Sequence, residues 1–414
     1  MTHFVNFPVT GQYVNTNMMN NYETPMKIVS SYNGWDPLEE VIVGLPDHAC
    51  IPHDEPSFNF GSFIGEEELA KCSVGPRSKE CINKARIQGD NLERVLQQQC
   101  NVRVLRPDKL DWSQSSKTPF FEVEYQFNAT CPRDTLIVIG NEIIEAPMSN
   151  RARYFESMAY RTILNDMFEK DENMLWTQAP KPTMADSLYN HDFPWDTESK
   201  ERKDWIKNYR YVTNETEPVF DAADILRLGK DLIVQHSFTT NRKGIEWLRR
   251  HTKSRGYRVH EIHFPDDLSP THIDCTLTAI VPPTNERKGI LISCPERPIA
   301  SDEYKKIFVG SNWEIKEGPQ PFQKDLPEFC ACSYWLSMNF FMVSPDRAIV
   351  EETEIPTINY LETMGIKCIR VPFRDVYSFG GGIHCATLDV RRVGERMDYF
   401  PNLTEQEQLT NGCH

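Results

Sequence analysis

Ala386-Thr387-Leu388-Asp389-Val390, near the end of the chain, is the stretch that decides the fold. It has the pattern of a strand, but no helix follows it. Five units precede it in the chain. Each contains β-branched apolar runs, and most units also contain an amphipathic helix. Such units cannot bury an apolar face alone, so they must pack together in a line or in a ring. A leftover strand that completes the first unit is what closes a ring.

The five units follow one another from Ser30 onward. Each contains short apolar runs typical of strands, and residues such as Ala85, Leu92 and Leu96 have helical spacing between two of them. By unit, the predicted strands are 40–43 and 102–105; 136–139 and 143–144; 232–234 and 257–262; 275–280 and 290–292; and 340–343, 348–350 and 368–371. A ring of such units leaves a central channel that could hold a small substrate. An open doubly wound α/β sheet is the alternative.

Composition narrows the possible partners. The 414 residues are 39% hydrophobic, which is typical of a folded protein with a large core. A formal net charge of −15 supplies no basic stripe, so no nucleic-acid partner is expected. The start of the chain has neither a basic segment nor an apolar core of a signal peptide, and no apolar run approaches the length of a membrane span.

The twelve cysteines show no zinc-finger spacing, so we expect reduced thiols, no metal and a cytoplasmic protein. Residues 1–28 are polar and lack periodicity, which predicts a flexible leader. A single catalytic domain is predicted for 29–400, and a polar tail for 401–414.

The segment Gly380-Gly381-Gly382-Ile383-His384-Cys385 carries the strongest chemical signal. Three glycines remove every Cβ from the approach to the thiol, so a ligand could come close to Cys385. Reactive cysteines need such access, whereas a lone cysteine is more often a buried, inert residue. With the three glycines, the sequence supports a reactive Cys385 and a buried, inert Cys385 about equally.

A thiol nucleophile needs an acid or base nearby. In 271–274 (THID), residues two apart on a strand would place His272 and Asp274 on one face. Asp134, Asp221 and Asp224 stand beside apolar runs, where a carboxylate is costly to bury unless it pairs with a cation. Structural roles, such as capping a strand edge, account for these residues equally well.

A reachable thiol, an imidazole and several carboxylates together suggest covalent chemistry at a cationic carbon. A guanidinium fits, because two carboxylates can grip its planar N–H groups and leave the central carbon open to a thiolate.

The sequence also resembles the arginine-dependent amidinotransferases, which include glycine, inosamine-phosphate and cyanobacterial toxin-pathway enzymes. The resemblance runs from about residue 30 to 395. It is carried by 31–33 (SYN), 35–44 (WDPLEEVIVG), 132–134 (PRD), 140–148 (GNEIIEAPM), 179–184 (APKPTM), 220–224 (FDAAD), 272–274 (HID) and 380–385 (GGGIHC).

The resemblance implies a five-bladed pseudo-symmetric α/β propeller of ββαβ-type units and a homodimer. It implies that Cys385 is the nucleophile, His272 the general acid and base, and Asp221 the carboxylate that orients the imidazole. The implied ligands of L-arginine are Asp134 and Asp274 for the guanidinium, Arg297 for the α-carboxylate, and Ser333 in the pocket wall.

By the same resemblance, the amidino group of L-arginine passes through Cys385 to an amine acceptor in a ping-pong sequence. No metal or organic cofactor is needed.

Three positions depart from the glycine-specific vertebrate pattern. Thr271 replaces a methionine, Cys332 replaces a serine and Ser269 replaces an asparagine. Smaller side chains leave more room, so we expect an acceptor pocket that admits either glycine or a larger amine of specialised metabolism.

Two rival functions share these features. A guanidino hydrolase of the deiminase type would let water attack the same covalent intermediate and release citrulline. A catalytically inactive propeller would only bind arginine or a protein partner. Intact Cys385, His272 and Asp221 disfavour the inactive form.

Overall fold

The computed structural model describes residues 27–53, 56–57, 73–327, 330 and 332–403. Most of the predicted leader (1–26) and of the predicted tail (404–414) lies outside these residues.

The helices and strands alternate along the chain. They are β1 (Leu38–Val43), β2 (Cys50–Ile51), β3 (Gly75–Pro76), α1 (Lys79–Cys100), β4 (Arg103–Leu105), β5 (Ser116–Lys117), β6 (Glu122–Val123), α2 (Pro132–Thr135), β7 (Leu136–Ile139), β8 (Glu142–Glu145), α3 (Arg161–Lys170), β9 (Leu175–Gln178), α4 (Lys200–Lys207), β10 (Ile225–Leu228), β11 (Asp231–Gln235), α5 (Arg242–Lys253), β12 (Arg258–Ile262), β13 (Leu277–Val281), β14 (Gly289–Ser293), α6 (Ser301–Ile307), β15 (Trp313–Glu317), β16 (Phe341–Ser344), β17 (Arg347–Glu351), α7 (Ile355–Thr363), β18 (Lys367–Val371), α8 (Arg374–Tyr377) and β19 (Thr387–Arg392).

Within the described part of the chain, five three-stranded sheets share one topology. In each sheet the first strand is antiparallel to the second, and the second is parallel to the third. A parallel pair needs a crossover connection, and a helix supplies it every time. The strand orders are β19-β1-β4, β7-β8-β9, β10-β11-β12, β13-β14-β15 and β16-β17-β18. The fold is therefore α/β with mixed sheets.

The late strand completes the first sheet, as the sequence predicts. β19 pairs with β1 in antiparallel register, with Val43 opposite Thr387 and Val41 opposite Asp389. The start and end of the described chain thus meet in one sheet. The apolar side chains of both strands are buried.

Helix α1 shows how the sequence determines an element and its orientation. The Ser78 side chain accepts a hydrogen bond from the Cys81 backbone N–H, an N-cap that contributes about 1 kcal/mol. Asn101 ends the helix in the left-handed conformation. The buried face consists of Ala85, Gly89, Leu92, Val95 and Leu96, which follow helical spacing.

The five three-stranded sheets contain three strands that the sequence pattern does not predict, β9, β10 and β15. Phe155, Ala159, Thr162 and Ile163 have helical spacing in the sequence, yet α3 begins at Arg161, because Glu156–Tyr160 forms a 3-10 turn. The third sheet begins with β10, which the sequence pattern does not predict. Arg227 interrupts its apolar run, yet that arginine is buried because it pairs with Asp389.

A buried ion cluster joins β19 to its neighbours. Asp389 accepts hydrogen bonds from the guanidinium groups of Arg133, Arg227 and Arg392 and from the Ser31 hydroxyl. The arginines lower the pKa of Asp389 well below its usual range, although burial alone would raise it. This cluster fixes the loop that precedes β19, because Arg133 Nε also donates to the His384 carbonyl over 2.8 Å.

No helix among the described residues combines the length and the apolar character needed to cross a lipid bilayer.

Candidate active site

Five equivalent places in the fold supply the site. Each is the short turn or helix just before the first strand of a sheet. They carry Asp134 before β7, Asp221 before β10, His272 and Asp274 before β13, Ser333 and Asn339 before β16, and Cys385 before β19. These segments touch one another in succession, so residues far apart in sequence come together.

Cys385 lies in a loop that tolerates only glycine at two positions. A Cβ on Gly381 would fall 2.6 Å from the Cys385 sulfur, and a Cβ on Gly382 would fall 2.7 Å from the Asn339 side chain. Gly380 has φ +117°, a conformation that other residues rarely adopt. The three glycines therefore let the loop fold tightly around the thiol, which is 1% exposed.

The Cys385 thiol is held by two polar side chains. Its sulfur lies 3.3 Å from Asp274 Oδ2 and accepts a hydrogen bond from Asn339 Nδ2 at 3.2 Å. The Cys385 backbone N–H donates to Asn339 Oδ1, so one amide fixes both ends of the residue. A hydrogen bond with Cys275, burial and the charges of Asp274 and Asp134 raise the pKa of Cys385 well above its ordinary value.

His272 adopts φ 53°, ψ 107° and precedes the 3-10 turn Ile273–Cys275, so the predicted strand over 271–274 is wrong. A positive φ at a residue other than glycine stores strain and is often found in active sites. The turned backbone, rather than strand alternation, directs the imidazole toward the carboxylates.

The imidazole lies between two carboxylates. Nε2 is 3.1 Å from Asp221 Oδ2, and Nδ1 is 3.7 Å from Asp134 Oδ1. Burial alone would lower the pKa of His272, but Asp134, Asp221 and Asp224 outweigh it and raise that pKa to about 10. His272 is therefore protonated at neutral pH. The charge of Asp134 also acts on Cys385, which links the imidazole and the thiol.

Asp134 is 0% exposed, and burial raises its pKa. Neither of its oxygens receives a hydrogen bond from the described residues, although Arg153 Nη1 lies 3.0 Å from Oδ2. Arg153 is also bound by Glu156 and lies 3.9 Å from Asp221. Two buried carboxylates thus face the imidazole with hydrogen-bonding capacity to spare.

Asp274 is the carboxylate nearest the thiol. Its Oδ2 accepts a hydrogen bond from His384 Nδ1 at 2.7 Å. Burial and the charge of Arg133 lower the pKa of His384 to about 4, so that ring is neutral. Burial favours protonation of Asp274, but the His384 hydrogen bond and the charge of His272 lower its pKa to about 2. Asp274 is ionised beside the thiol.

Arg297 and Ser333 form a neighbouring pair. Arg297 Nη2 lies 3.3 Å from Ser333 Oγ and 3.3 Å from the Cys275 carbonyl, and Nη1 pairs with Asp267 at 3.3 Å. Arg297 is 5% exposed, so this cation is fixed at the edge of the cluster.

The residues predicted for the acceptor pocket, Thr271, Cys332 and Ser269, adjoin site residues along the chain. Thr271 Oγ1 is 3.4 Å from the Ser269 carbonyl, and Ser269 Oγ accepts a hydrogen bond from Arg202. Cys332 is partly buried and directly precedes Ser333, with its sulfur 4.0 Å from the Tyr377 carbonyl. Thr271 directly precedes His272, and Ser269 lies three residues before it.

Asp224, one of the carboxylates beside apolar runs in the sequence, has a structural role. Asp224 Oδ2 accepts hydrogen bonds from the hydroxyls of Ser237, Thr239 and Thr240. It fixes the loop after β11 and contributes charge to His272 from a distance.

Sequence reasoning missed four residues of the cluster, namely Arg153, Cys275, Asn339 and His384. Two of them had a signal, because Cys275 follows Asp274 and His384 precedes Cys385 in segments already singled out. Arg153 and Asn339 have no local pattern, and their roles follow only from tertiary contacts.

Known proteins resemble this chain over most of its length. The mitochondrial glycine amidinotransferase of Gallus gallus is 41% identical over 381 residues, which cover 90% of this chain and 85% of the relative. The L-arginine:L-lysine amidinotransferase of Pseudomonas savastanoi pv. phaseolicola is 36% identical over 90% of this chain and 96% of its own. This chain belongs to the amidinotransferase family.

Solved structures support the assignment of the chain to the amidinotransferase family. SxtG, an amidinotransferase from Microseira wollei in the saxitoxin biosynthetic pathway, is 36% identical, with a TM-score of 0.78 over 90% of this chain and 99% of SxtG. The arginine dihydrolase ArgZ is 15% identical with a TM-score of 0.51, a likeness that shows the fold alone. No family model matches the chain. The chain is a transferase of amidino groups, and hydrolases are only distant neighbours.

Proposed function

We propose that this amidinotransferase takes the amidino group from L-arginine, holds it on Cys385 and passes it to a primary amine. The observation that carries the proposal is the Cys385 sulfur 3.3 Å from the ionised Asp274, in one cluster with His272, Asp134 and Asp221. Spare carboxylate oxygens in a buried site suit a planar cation.

Binding of the cation should activate the thiol. The carboxylates that raise the pKa of Cys385 in the free enzyme also attract a guanidinium. A bound positive charge offsets them, so the thiol gives its proton to solvent and the thiolate forms when the substrate is in place. Arg297 would hold the α-carboxylate of arginine, and Ser333, whose hydroxyl lies 3.3 Å from Arg297, would line the pocket.

In the first half-reaction, the Cys385 thiolate forms a C–S bond to the guanidino carbon. The C–N bond to the departing amine breaks, and protonated His272 gives that nitrogen its proton, which releases ornithine. A pKa of about 10 keeps this proton available at neutral pH. Asp221 orients the imidazole, and Asp134 and Asp274 stabilise the cationic amidino group.

In the second half-reaction, an acceptor amine attacks the amidino carbon. Neutral His272 takes the proton of the attacking nitrogen, the C–S bond breaks and the thiolate returns. Because ornithine leaves before the acceptor reacts, the kinetics are ping-pong.

The acceptor remains glycine or a larger amine. Thr271 and Ser269 leave more space than the methionine and asparagine of the glycine pattern, and Cys332 places a sulfur where that pattern has a serine hydroxyl. One relative carries glycine in its name and another carries lysine, so the family uses acceptors of different sizes.

We also propose that the five sheets are the blades of a propeller. The contacts of 132–135 with 222–224, of 222–224 with 273–275 and of 273–275 with 334–338 support it, as does the Asn339–Cys385 pair. A single catalytic domain over 29–400, a flexible leader (1–28), a polar tail (401–414), a homodimer and a cytoplasmic location stay proposals. The ten described cysteines are free, which suits a reducing compartment.

The test is product identity. Purified protein with L-arginine and a panel of amines should form ornithine and one guanidino product in equal amounts, and Cys385→Ala should form neither. Cys368→Ala is the matched control, because its thiol lies against the Ile358 carbonyl, away from the cluster. Citrulline formed without an acceptor would contradict transfer, and a strong preference for glycine alone would contradict a larger acceptor.

A further inference from the structure

A second thiol lies beside Cys385, and the proposed transfer reaction does not use it. Cys275 is 8% exposed, follows Asp274 in the 3-10 turn and carries a free sulfur. That sulfur is 3.7 Å from Asp274 Oδ1 and 3.4 Å from Asn339 Nδ2. The same amide nitrogen contacts the Cys385 sulfur, so both thiols face one point.

We infer that Cys275, Cys385 and Asp274 form a binding site for a thiophilic divalent cation such as Zn²⁺ or Cd²⁺, and that the bound ion inhibits the enzyme.

The spacing of the three ligand atoms fits coordination. One oxygen of Asp274 and the two sulfurs all lie within 4.8 Å of one another. The Cys385 sulfur is 3.3 Å from Asp274 Oδ2, and the Cys275 sulfur is 3.7 Å from Oδ1 of the same carboxylate. Tetrahedral Zn²⁺ with Zn–S of about 2.3 Å and Zn–O of about 2.1 Å places sulfur and oxygen ligands roughly 3.6 Å apart. Only small shifts would bring the ligands around one ion.

The ligand types select the metal. Two thiolates and one carboxylate favour Zn²⁺ or Cd²⁺, whereas Mg²⁺ and Ca²⁺ need oxygen ligands. Asp274 Oδ2 accepts a hydrogen bond from His384 Nδ1 at 2.7 Å, and an outer hydrogen bond of this kind orients carboxylate ligands in metal sites. The two thiols would release their protons on binding.

Inhibition follows from overlap, and this part of the inference rests on the proposed function. An ion held by Cys385 and Asp274 occupies the sulfur that attacks arginine and the carboxylate that holds its guanidinium. Metal and arginine should therefore compete.

The experiment uses Cd²⁺ as the probe and thiolate-to-metal charge-transfer absorption as the readout. Reduced full-length protein should bind one high-affinity Cd²⁺ with two thiolate ligands. Cys275→Ser should lose about half of the absorption and bind Cd²⁺ about 10- to 100-fold more weakly or worse. Because the readout is binding, a change in turnover of this variant does not affect the result.

Cys330→Ala is the matched control, since Cys330 and Cys332 are another pair of neighbouring thiols. It should leave the absorption and the affinity unchanged. A Cys275→Ser or Cys275→Ala protein, folded by circular dichroism, that binds Cd²⁺ as the wild type does would overturn the inference. So would a signal that disappears with Cys330→Ala.

Saturating L-arginine should weaken Cd²⁺ binding to the wild type. If arginine does not compete while Cys275 is still required for binding, the metal site stands and the proposed position of the guanidinium at Asp274 fails. The two failures are thereby separated.

Discussion

Asp389 and Asp134 are both fully buried, yet their surroundings differ. Asp389 accepts hydrogen bonds from three arginines and a serine, whereas neither oxygen of Asp134 receives one from the described residues. Correspondingly, the pKa of Asp389 falls well below its usual range and that of Asp134 rises. A saturated carboxylate stabilises the fold, and an unsaturated one is available to a ligand.

The largest expected effect is on the saturated cluster. Asp389→Asn keeps the shape of the side chain but leaves Arg133, Arg227 and Arg392 without their common counter-charge. Breaking a buried ion pair from one side costs about 3–5 kcal/mol, so the free energy of unfolding should fall by that amount. Chemical denaturation measures it. A loss below about 1 kcal/mol would show that the cluster is not structural.

The unsaturated carboxylate should show the reverse behaviour. Asp134→Asn should lower kcat/KM about 10²- to 10³-fold, because one charge that stabilises the amidino cation is lost. The free energy of unfolding should fall by less than in Asp389→Asn, since Arg153 keeps its bonds to Glu156 and His272 keeps Asp221 as a counter-charge. Steady-state kinetics and denaturation on the same preparation test both halves. Full activity in this variant would refute the proposed role.

Ligand-induced stabilisation separates the clusters further. In Cys385→Ala, which cannot react, L-arginine at about 100 times its Kd should raise the free energy of unfolding by about 2.7 kcal/mol. Adding Asp389→Asn to this variant should lower the free energy of unfolding without ligand but preserve the increase that L-arginine causes. Addition of Asp134→Asn should reduce the increment. Equal increments in all three proteins would place the guanidinium elsewhere.

The last expected effect concerns pH and is spread over several pH units. His272 has a pKa of about 10 in the fold against an ordinary value of 6.5. A raised pKa contributes stability that is complete below 6.5 and is lost as pH rises toward 10. The stability difference between wild type and His272→Gln should therefore shrink over this window, by at most about 1.4 kcal/mol per pH unit. A difference that grows with pH would contradict the assigned protonation.

The sequence contained part of this picture. The glycines before Cys385 predicted the tight loop at this thiol, and the leftover strand predicted the pairing of β19 with β1, because both patterns can be read from short segments. The strand predicted for 271–274 was wrong, since the positive φ of His272 is a tertiary requirement that no alternation pattern reveals. Arg153 and Asn339 escaped notice because their partners lie in other units.

The same limit explains β10. Arg227 looks like a break in an apolar run until Asp389, from the opposite end of the chain, is seen to neutralise it. The partners of a buried charge lie far from it in sequence. Composition and spacing alone therefore could not distinguish the saturated Asp389 from the unsaturated Asp134.

The most direct test of the covalent account is peptide mass spectrometry after brief incubation with L-arginine and no acceptor. The Cys385 peptide should gain one amidino group as ornithine appears, and addition of an acceptor amine should remove that mass. An unmodified Cys385 peptide under turnover conditions, or an amidino group on another residue, would contradict the account.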